Sequence, residues 1–332
     1  SVGTVTAQLL YEISAPAYVN PDVVAHFDSL SIEQVGEDRV RVSGVRGSNP
    51  PSTHKVCINT SDGFKTGIEI LLTGLDIEEK AEVFTDVFFE SLGGRDAFDK
   101  VETQLIRTDS ADATQNEEAQ ASLRIFAHSK DPNKVGRLFS AKHIELALAS
   151  YPGFSGRGGS PGAPVIAYWP ALVDSKHLVE KVHFEGTTTE VVPTSQMGFE
   201  EIYYQQTPVA LPEIPGGAPK TIPLGRLFGT RSGDKGGCAN VGVWAKTDTA
   251  YAFLTEFLTV EQLKALCPDL APWEIDRYEM PNLKALNFYI HGILGEGVSA
   301  NNRLDGQAKS LGEYIRSRNI EVPSDLAAEA GL

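Results

Sequence analysis

The sequence predicts an α+β protein with mixed or antiparallel sheets and helices on one face. Two observations support this class. Strand-like segments come in groups, and each group is followed by a segment with apolar residues at helical spacing. The same order returns after a proline-rich stretch. We therefore expect an α+β domain over residues 1–206, a linker over residues 207–223, and a ferredoxin-like α+β domain over residues 224–332.

The elements of the first domain follow from local patterns. Residues 1–13 have apolar residues on one helical face, with Thr4 or Thr6 available as a cap. Turn residues inside alternating segments predict hairpins over residues 31–44 and 55–72, the second turning at Asp62-Gly63. Further periodicity predicts helices over residues 76–92 and 133–149 and strands over residues 101–108, 121–127, 165–170 and 179–184. The glycine-rich residues 152–164 predict an irregular loop that could act as a lid.

The second domain shows a similar pattern. Thr259 with Gln262 forms a capping box before a short helix. Apolar alternation predicts strands over residues 224–228, 240–245, 275–278 and 286–290, and helical spacing predicts a last helix over residues 303–318. The first two strands of this domain would flank a polar loop.

Composition excludes several classes of protein. The 332 residues include 29 basic and 44 acidic side chains, a net charge of −15 that would repel nucleic acid. No apolar run is long enough for a membrane span. Three dispersed cysteines predict neither a disulfide scaffold nor a zinc ribbon, and a cytoplasmic location fits them best. The chain starts at Ser1 without a methionine, so we expect a fragment or a processed chain.

The first candidate for chemistry is the polar segment of residues 230–240. Its glycines permit a close approach of the backbone to an oxyanion, Arg231 and Lys235 add positive charge, and Asp234 can exchange a proton. The segment does not have the spacing of a Walker A loop. The alternative is a solvated turn in which Asp234 and Lys235 pair with each other.

The second candidate is the segment of residues 291–303. It contains His291 and several glycines and precedes the predicted last helix, so it could bind an anion at the helix N-terminus. The alternative is an ordinary strand-to-helix loop capped by Asn301 or Asn302. If the two polar segments form one site, their strands must be adjacent, and Asp234 must lie within about 10 Å of His291.

Other kinds of site are less well supported. No histidine pair has the spacing of a metal site, so we predict no metal. No segment has the phase of a serine hydrolase nucleophile elbow. Cys238 lies close in sequence to Lys235 and Arg231, which could activate its thiol, but a small buried cysteine is the simpler interpretation. Ser1 could act as an N-terminal nucleophile if the chain is processed.

Three stretches carry a resemblance to a known family. They are SVGTVTAQLLYEI at residues 1–13, DRVRVSGVRG at residues 38–47, and TRSGDKG at residues 230–236 together with residues 287–297. They are similar to the acyclic terpene utilisation (AtuA-like) family. Residues 1–205 resemble the later part of its main domain, and residues 222–320 resemble its C-terminal ferredoxin-fold domain. The resemblance implies a role in the breakdown of citronellol-type and geranyl-type acids as coenzyme A thioesters.

Two hypotheses about function remain open. The first is an enzyme, or the C-terminal portion of one, of hydratase, lyase or hydrolase type that acts on a branched acyl-CoA or carboxylate by acid/base chemistry. Its catalytic residues would be Asp234, Lys235 and His291. The substrate-binding residues would be Arg231, Ser232, Gly236, Asn240, Gly292, Gly295, Gly297 and Arg303, with the glycine backbone stabilising an oxyanion.

The second hypothesis is a non-catalytic assembly or interaction subunit of a larger acyl-CoA-processing complex. In either case we expect a homo-oligomer, with an upstream N-terminal region or a separate partner chain, and no binding to nucleic acid or membranes. No cofactor is predicted, and a coenzyme A thioester would be a substrate.

Overall fold

The computed structural model describes residues 1–148, 151–191 and 208–332. These residues form two compact units, one of residues 1–58 with 168–332 and the other of residues 59–167. The end of the helix predicted over residues 133–149 and the first residue of the predicted linker lie outside the described residues. Helices and antiparallel sheets are both present, which confirms the α+β class.

The elements before residue 192 follow the chain in this order: α1 (Val2–Leu9), β1 (Ala17–Val19), β2 (Val24–His26), β3 (Ser31–Gly36), β4 (Arg39–Ser43), β5 (Arg46–Ser48), β6 (Thr53–Thr73), α2 (Ile77–Ser91), β7 (Lys100–Ile106), β8 (Gln120–Ser129), α3 (Arg137–Glu145), β9 (Ser155–Gly159), β10 (Ala163–Asp174), β11 (Glu180–Phe184) and β12 (Thr187–Val191). The elements after residue 207 are β13 (Pro219–Pro223), β14 (Gly229–Lys235), β15 (Cys238–Trp244), α4 (Asp248–Phe257), α5 (Val260–Leu266), β16 (Ile275–Met280), β17 (Ala285–Ile290), α6 (Leu311–Arg316), β18 (Asn319–Pro323) and α7 (Ser324–Glu329).

The unit of residues 59–167 is built on an antiparallel sheet in which β8 lies between β6 and β7, and β9 pairs with β6. The buried face of α2 packs on this sheet, and its Phe88 meets Phe139 of α3 edge to face at 4.9 Å between ring centroids. Such aromatic contacts add to the stabilisation that comes from burying the ring surfaces. The apolar periodicity that predicted α2 therefore identified its core face correctly.

Two predictions in this region are wrong. Asp62-Gly63 does not turn a hairpin, because both residues lie inside the continuous strand β6. Gly63 has a φ of +84°, and a Cβ there would lie 2.8 Å from the Ser129 carbonyl oxygen, so glycine is needed for a close backbone approach. The glycine-rich residues 152–164 are not wholly irregular, since β9 forms within them.

The C-terminal sheet belongs to the other unit and has the antiparallel order β14-β15-β17-β16. One face, which we call the helix face, carries Val241 and Phe288 into a core shared with α4, α5 and α6. The opposite face, which we call the N-terminal face, packs against Leu10, Ile13 and Leu30 from the start of the chain. The two faces alternate along each strand because side chains in a strand have a period of two.

Several boundaries differ from the sequence predictions. Residues 224–226 form a 3-10 turn, not a strand. The predicted helix over residues 303–318 is reduced to α6. The end of the proline-rich segment forms β13, which pairs with β18. Ser1, not Thr4 or Thr6, caps α1 by accepting a hydrogen bond from the Thr4 N–H. By contrast, the hairpin over β3 and β4 and the cap of α5 by Thr259 are confirmed.

In the described parts of the chain, no helix is long and apolar enough to cross a membrane.

Candidate functional site

The first polar segment is a β-hairpin and not a loop. β14 and β15 pair as far as Lys235 and Cys238, and only Gly236 and Gly237 lie in the turn. Gly236 has a φ of +66°, which the first position of a type II′ turn requires. The alternation of strand side chains places Arg231 and Lys235 on the N-terminal face, whereas Ser232 and Asp234 lie on the helix face.

Two of the predicted substrate-binding residues hold the fold together. Asn240 is fully buried, and its side-chain amide donates to the Leu10 carbonyl at 2.7 Å and to Asn287 Oδ1 at 2.9 Å. Its Oδ1 accepts the Glu12 N–H at 2.9 Å. Ser232 is also buried and accepts the Gly312 N–H at the start of α6 at 2.8 Å. Both side chains satisfy buried backbone groups, so neither is placed to contact a substrate.

Asp234 belongs to a group of paired charges. Its Oδ1 lies 3.3 Å from Lys309 Nζ, and the same ammonium group donates to Glu12 and to the Tyr11 hydroxyl. Burial opposes ionisation of Glu12, but the hydrogen bonds from Lys309 and Tyr11 outweigh it and lower the pKa of Glu12. Arg231 lies over the Tyr11 ring at 4.2 Å from its centroid. We call these five residues the paired cluster.

The side chains of His291 and Asp276 meet where β16 begins and β17 ends. His291 Nε2 lies 2.9 Å from Asp276 Oδ2, and the side chains are 40% and 42% exposed, so solvent and small molecules can reach them. The His291 ring also contacts Tyr289 edge to face at 4.9 Å. Burial raises the pKa of Tyr289, and the neighbouring Cys238 raises it further. These contacts place His291, Asp276, Tyr289 and Cys238 on the N-terminal face, and we call them the dyad cluster.

Lys235 is the charged residue of the hairpin that extends toward this open end of the sheet. Its ammonium group lies 5.2 Å from the centroid of the Tyr18 ring. Burial lowers the pKa of Lys235, and the positive charge of Lys55 lowers it further, while Glu12 acts in the opposite direction. Lys235 is directly opposite Cys238 in the hairpin, so it lies on the same face as the dyad cluster.

The second polar segment meets the first. The Leu294 N–H donates to the Gly237 carbonyl at 2.9 Å, and a Cβ at Gly237 would lie 2.1 Å from the Gly295 carbonyl oxygen. The two segments therefore emerge from the same end of one sheet, as a single site requires. The side chains of Asp234 and His291 leave opposite faces, however, so the geometry does not provide a direct relay between them.

The glycines of this segment have other roles than expected. The N–H groups of Gly292, Gly295 and Gly297 already have acceptors, namely Cys238 Sγ at 3.4 Å, the Gly292 carbonyl at 2.9 Å and the Leu294 carbonyl at 3.1 Å. Arg303 is exposed and precedes α6 by a stretch of turns, so it does not lie at a helix N-terminus. These backbone groups are accordingly not arranged as a ready oxyanion hole.

Sequence reasoning missed Asp276, Tyr289, Lys55, Lys309, Tyr11 and Glu12. One signal could have found Asp276, because the two predicted strands that carry Asp276 and precede His291 are neighbours in sequence and pair antiparallel. No comparable local signal exists for Lys55, which lies far from Lys235 in the chain. Within residues 1–148, 151–191 and 208–332, no group of three or more His, Cys, Asp or Glu side chains could hold a metal ion.

Comparison with known proteins gives two matches to family models. Residues 1–184 match the model described as acyclic terpene utilisation family protein AtuA. Residues 222–321 match the model of the AtuA ferredoxin-like domain, which contains the four-stranded sheet and both polar segments. No curated protein and no solved structure shows significant similarity to the chain.

Proposed function

The chain belongs to the acyclic terpene utilisation family AtuA, which implies involvement in acyclic terpene utilisation, and we propose that it is an enzyme acting on an acyl-CoA or related carboxylate by acid/base chemistry. The reaction would be of hydratase, lyase or hydrolase type. Each of these reactions moves a proton to or from water or a carbon next to a carbonyl group, so each needs a positioned base.

The contact between His291 and Asp276 carries this proposal. A carboxylate that accepts the Nε2–H of a neutral imidazole fixes its tautomer, and the lone pair then resides on Nδ1. His291 can therefore accept a proton at Nδ1, and Asp276 stabilises the imidazolium that forms. Asp234 is less suited to this role because Lys309 holds its carboxylate in the paired cluster.

Two further side chains on the same face support acid/base chemistry. The Tyr289 hydroxyl is protonated near neutral pH like that of any tyrosine, and its raised pKa suits it to donate a hydrogen bond without losing its proton. Lys235 supplies a positive charge for a carboxylate or for the negative charge that develops on a thioester oxygen. In this arrangement His291 removes the proton from the substrate. Asp276 orients the imidazole ring of His291, and Lys235 holds the anionic group of the substrate.

The test is turnover of branched unsaturated acyl-CoA thioesters and of the free acids by the purified chain. His291→Ala should lower kcat by about 100-fold or more, because a general base contributes about 10² to 10⁴ in rate. Asp276→Asn should lower kcat less and should shift the acidic limb of the pH–rate profile, since Asp276 acts through His291. His183→Ala is the matched control, because His183 is an exposed histidine of the same unit that pairs only with Thr188 among the described contacts.

An outcome without turnover would favour the alternative hypothesis. If neither thioesters nor free acids are converted and His291→Ala behaves like His183→Ala in every assay, the acid/base proposal is wrong. A non-catalytic assembly or interaction subunit would then be the better description.

A further inference from the structure

Lys55 and Lys235 are two lysines whose ammonium groups have no carboxylate in salt-bridge contact within the described part of the chain. Lys55 is exposed on β6, and Lys235 is half-buried at the end of β14. Across residues 1–148, 151–191 and 208–332, no carboxylate forms a salt bridge with either ammonium group. The acid whose charge acts on Lys235 is Glu12, and Glu12 is itself held by Lys309 and Tyr11. In a chain with 44 acidic and 29 basic residues, a lack of acids does not explain this.

The two ammonium groups repel each other in this arrangement. Burial lowers the pKa of Lys235, and repulsion by Lys55 lowers it further. Two like charges placed close together without acids destabilise a fold unless something else compensates for them. A bound anion is the simplest compensation, because it converts the repulsion into two attractive interactions.

A tyrosine ring lies beside each of these lysines. The Tyr18 ring lies 5.2 Å from Lys235 Nζ, and the Tyr168 ring lies 5.7 Å from Lys55 Nζ. Gly236 packs against Tyr168 so closely that a Cβ there would lie 2.8 Å from Tyr168 Cε1. The Tyr168 N–H donates to the Glu296 carbonyl at 3.2 Å, which ties this aromatic side to the second polar segment. The Tyr168 ring therefore faces both Lys55 and Gly236, the neighbour of Lys235 in the hairpin, so the two lysines lie at one aromatic surface.

We propose that Lys55 and Lys235 form a binding site for a doubly charged anion of the phosphate class. A carboxylate carries one negative charge and would leave one ammonium group uncompensated, whereas a phosphate monoester or a pyrophosphate group neutralises both. Free phosphate and a phosphate group of a larger ligand share this chemistry. Binding of the anion does not depend on the proposed reaction. Only its use as an anchor for the substrate beside His291 rests on the proposed function.

Calorimetric titration of the full chain with four probes tests the site. The probes are inorganic phosphate, pyrophosphate, coenzyme A and pantetheine, which lacks all phosphate groups. We expect pyrophosphate and coenzyme A to bind and pantetheine to bind at least about tenfold more weakly. Equal affinity for inorganic phosphate and coenzyme A would identify a free anion as the ligand, whereas much tighter coenzyme A would identify the phosphate group of a larger molecule.

Variants assign the affinity to the two lysines. Lys55→Gln and Lys235→Gln should each weaken the best phosphate-bearing probe by about tenfold, since each removes one charged hydrogen-bond donor. Lys235→Arg keeps the charge and should retain most of the affinity. Lys246→Gln, an exposed lysine of the same unit, is the matched control and should change affinity by less than about twofold. A thermal melt of each variant establishes that it is folded.

Two results would overturn the proposal. One is pantetheine binding as tightly as coenzyme A, and the other is lysine variants that bind like Lys246→Gln. The test of the anion site is independent of the test of the proposed reaction, because His291→Ala should leave the affinity for the phosphate probes unchanged. Anion binding without turnover would contradict only the proposed reaction. Turnover without anion binding would contradict only the proposed anion site.

Discussion

Lys309 and Lys235 lie near the same hairpin, yet their surroundings differ. Lys309 contacts two carboxylates and a tyrosine hydroxyl from two separate parts of the chain, and although burial opposes its charge, these hydrogen bonds raise its pKa. Lys235 contacts the face of Tyr18, has no carboxylate in salt-bridge contact among the described residues, and has a lowered pKa. Among the described residues, the fold supplies carboxylate partners for Lys309 but no carboxylate in salt-bridge contact with Lys235.

This contrast distinguishes a charged side chain that is paired within the fold from one that is available to bind a ligand. A charge whose partners are supplied by the fold stabilises the native state and has little left to offer a ligand. A half-buried charge without such partners costs stability in the free protein and gains it on binding. Proximity in sequence would have grouped Asp234 with Lys235, but the strand alternation sends these two side chains to opposite faces.

The largest loss of stability is expected at Asn240, which fixes the start of the chain to the sheet. The paired cluster depends on this attachment because Tyr11 and Glu12 belong to it. Asn240→Leu removes three hydrogen bonds in the interior of the protein. The Leu10 carbonyl oxygen, the Glu12 N–H and Asn287 Oδ1 each lose a partner. We expect the free energy of unfolding to fall by about 3 kcal/mol. Urea denaturation measures this difference.

A matched asparagine provides the control for that prediction. Asn282 also donates to two backbone carbonyls, those of Phe27 and Leu30, but it is exposed. Asn282→Ala should cost about 1 kcal/mol, since water can replace its bonds. Equal losses for the two variants would show that burial of the Asn240 network contributes nothing special.

The second prediction compares the two lysines directly. Lys309→Met should lower the free energy of unfolding by about 1 kcal/mol, a modest value because its side chain is 39% exposed and solvent screens the pairs. Lys235→Met should leave the free energy of unfolding unchanged or raise it by about 0.5 kcal/mol, because it removes a half-buried charge that forms no salt bridge with the described residues. Urea denaturation in a buffer free of phosphate measures both. A larger loss for Lys235→Met than for Lys309→Met would reverse the comparison.

Local patterns were sufficient for much of the fold but not for the polar hairpin. Residues 230–240 look like a loop because glycines and charged residues interrupt the apolar alternation. They form strands because both faces are covered by distant parts of the chain, with α6 against Ser232 and with Tyr11 and Glu12 against Gly233. A local pattern does not reveal which remote segment will cover a strand.

The candidate site was predicted in part for the same reason. His291 and Lys235 stood out because they lie in polar segments that interrupt regular structure, and the two segments do meet. Asp276 and Lys55 lie in ordinary strands, so the sequence gives no reason to select them. They become candidate site residues only because the sheet brings Asp276 to His291 and the tertiary fold brings Lys55 close to Lys235. Residue type and spacing could not distinguish Asp234, which pairs with Lys309, from Asp276, which contacts His291.

The third prediction uses pH to distinguish the two lysines. The folded-state pKa of Lys235 lies below its ordinary value of 10.5, so its charge costs stability at neutral pH, and this cost is lost as pH rises through the folded pKa. The folded-state pKa of Lys309 lies above 10.5, so its contribution is complete below that pH and is lost only above it.

Urea denaturation at several pH values up to 10.5 and above measures these differences. The advantage of Lys235→Met over the wild type should shrink as pH approaches 10.5. The deficit of Lys309→Met should stay constant over the same range and shrink only at higher pH. Parallel profiles for the two variants would mean that their electrostatic surroundings do not differ in the folded protein.

The smallest effect concerns Arg231, which the sequence grouped with Lys235 as an anion holder. In the structure its guanidinium lies over Tyr11, whose hydroxyl accepts from Lys309, so it belongs with the paired cluster. Arg231→Gln should lower the free energy of unfolding by about 0.5 kcal/mol, the value of an exposed cation–π contact, and should leave the affinity for pyrophosphate and coenzyme A within about twofold. Arg231→Lys, which keeps the charge, controls for the general field of the protein. If Arg231→Gln instead weakens anion binding as much as Lys235→Gln, Arg231 contributes to the anion site and does not belong with the paired cluster alone.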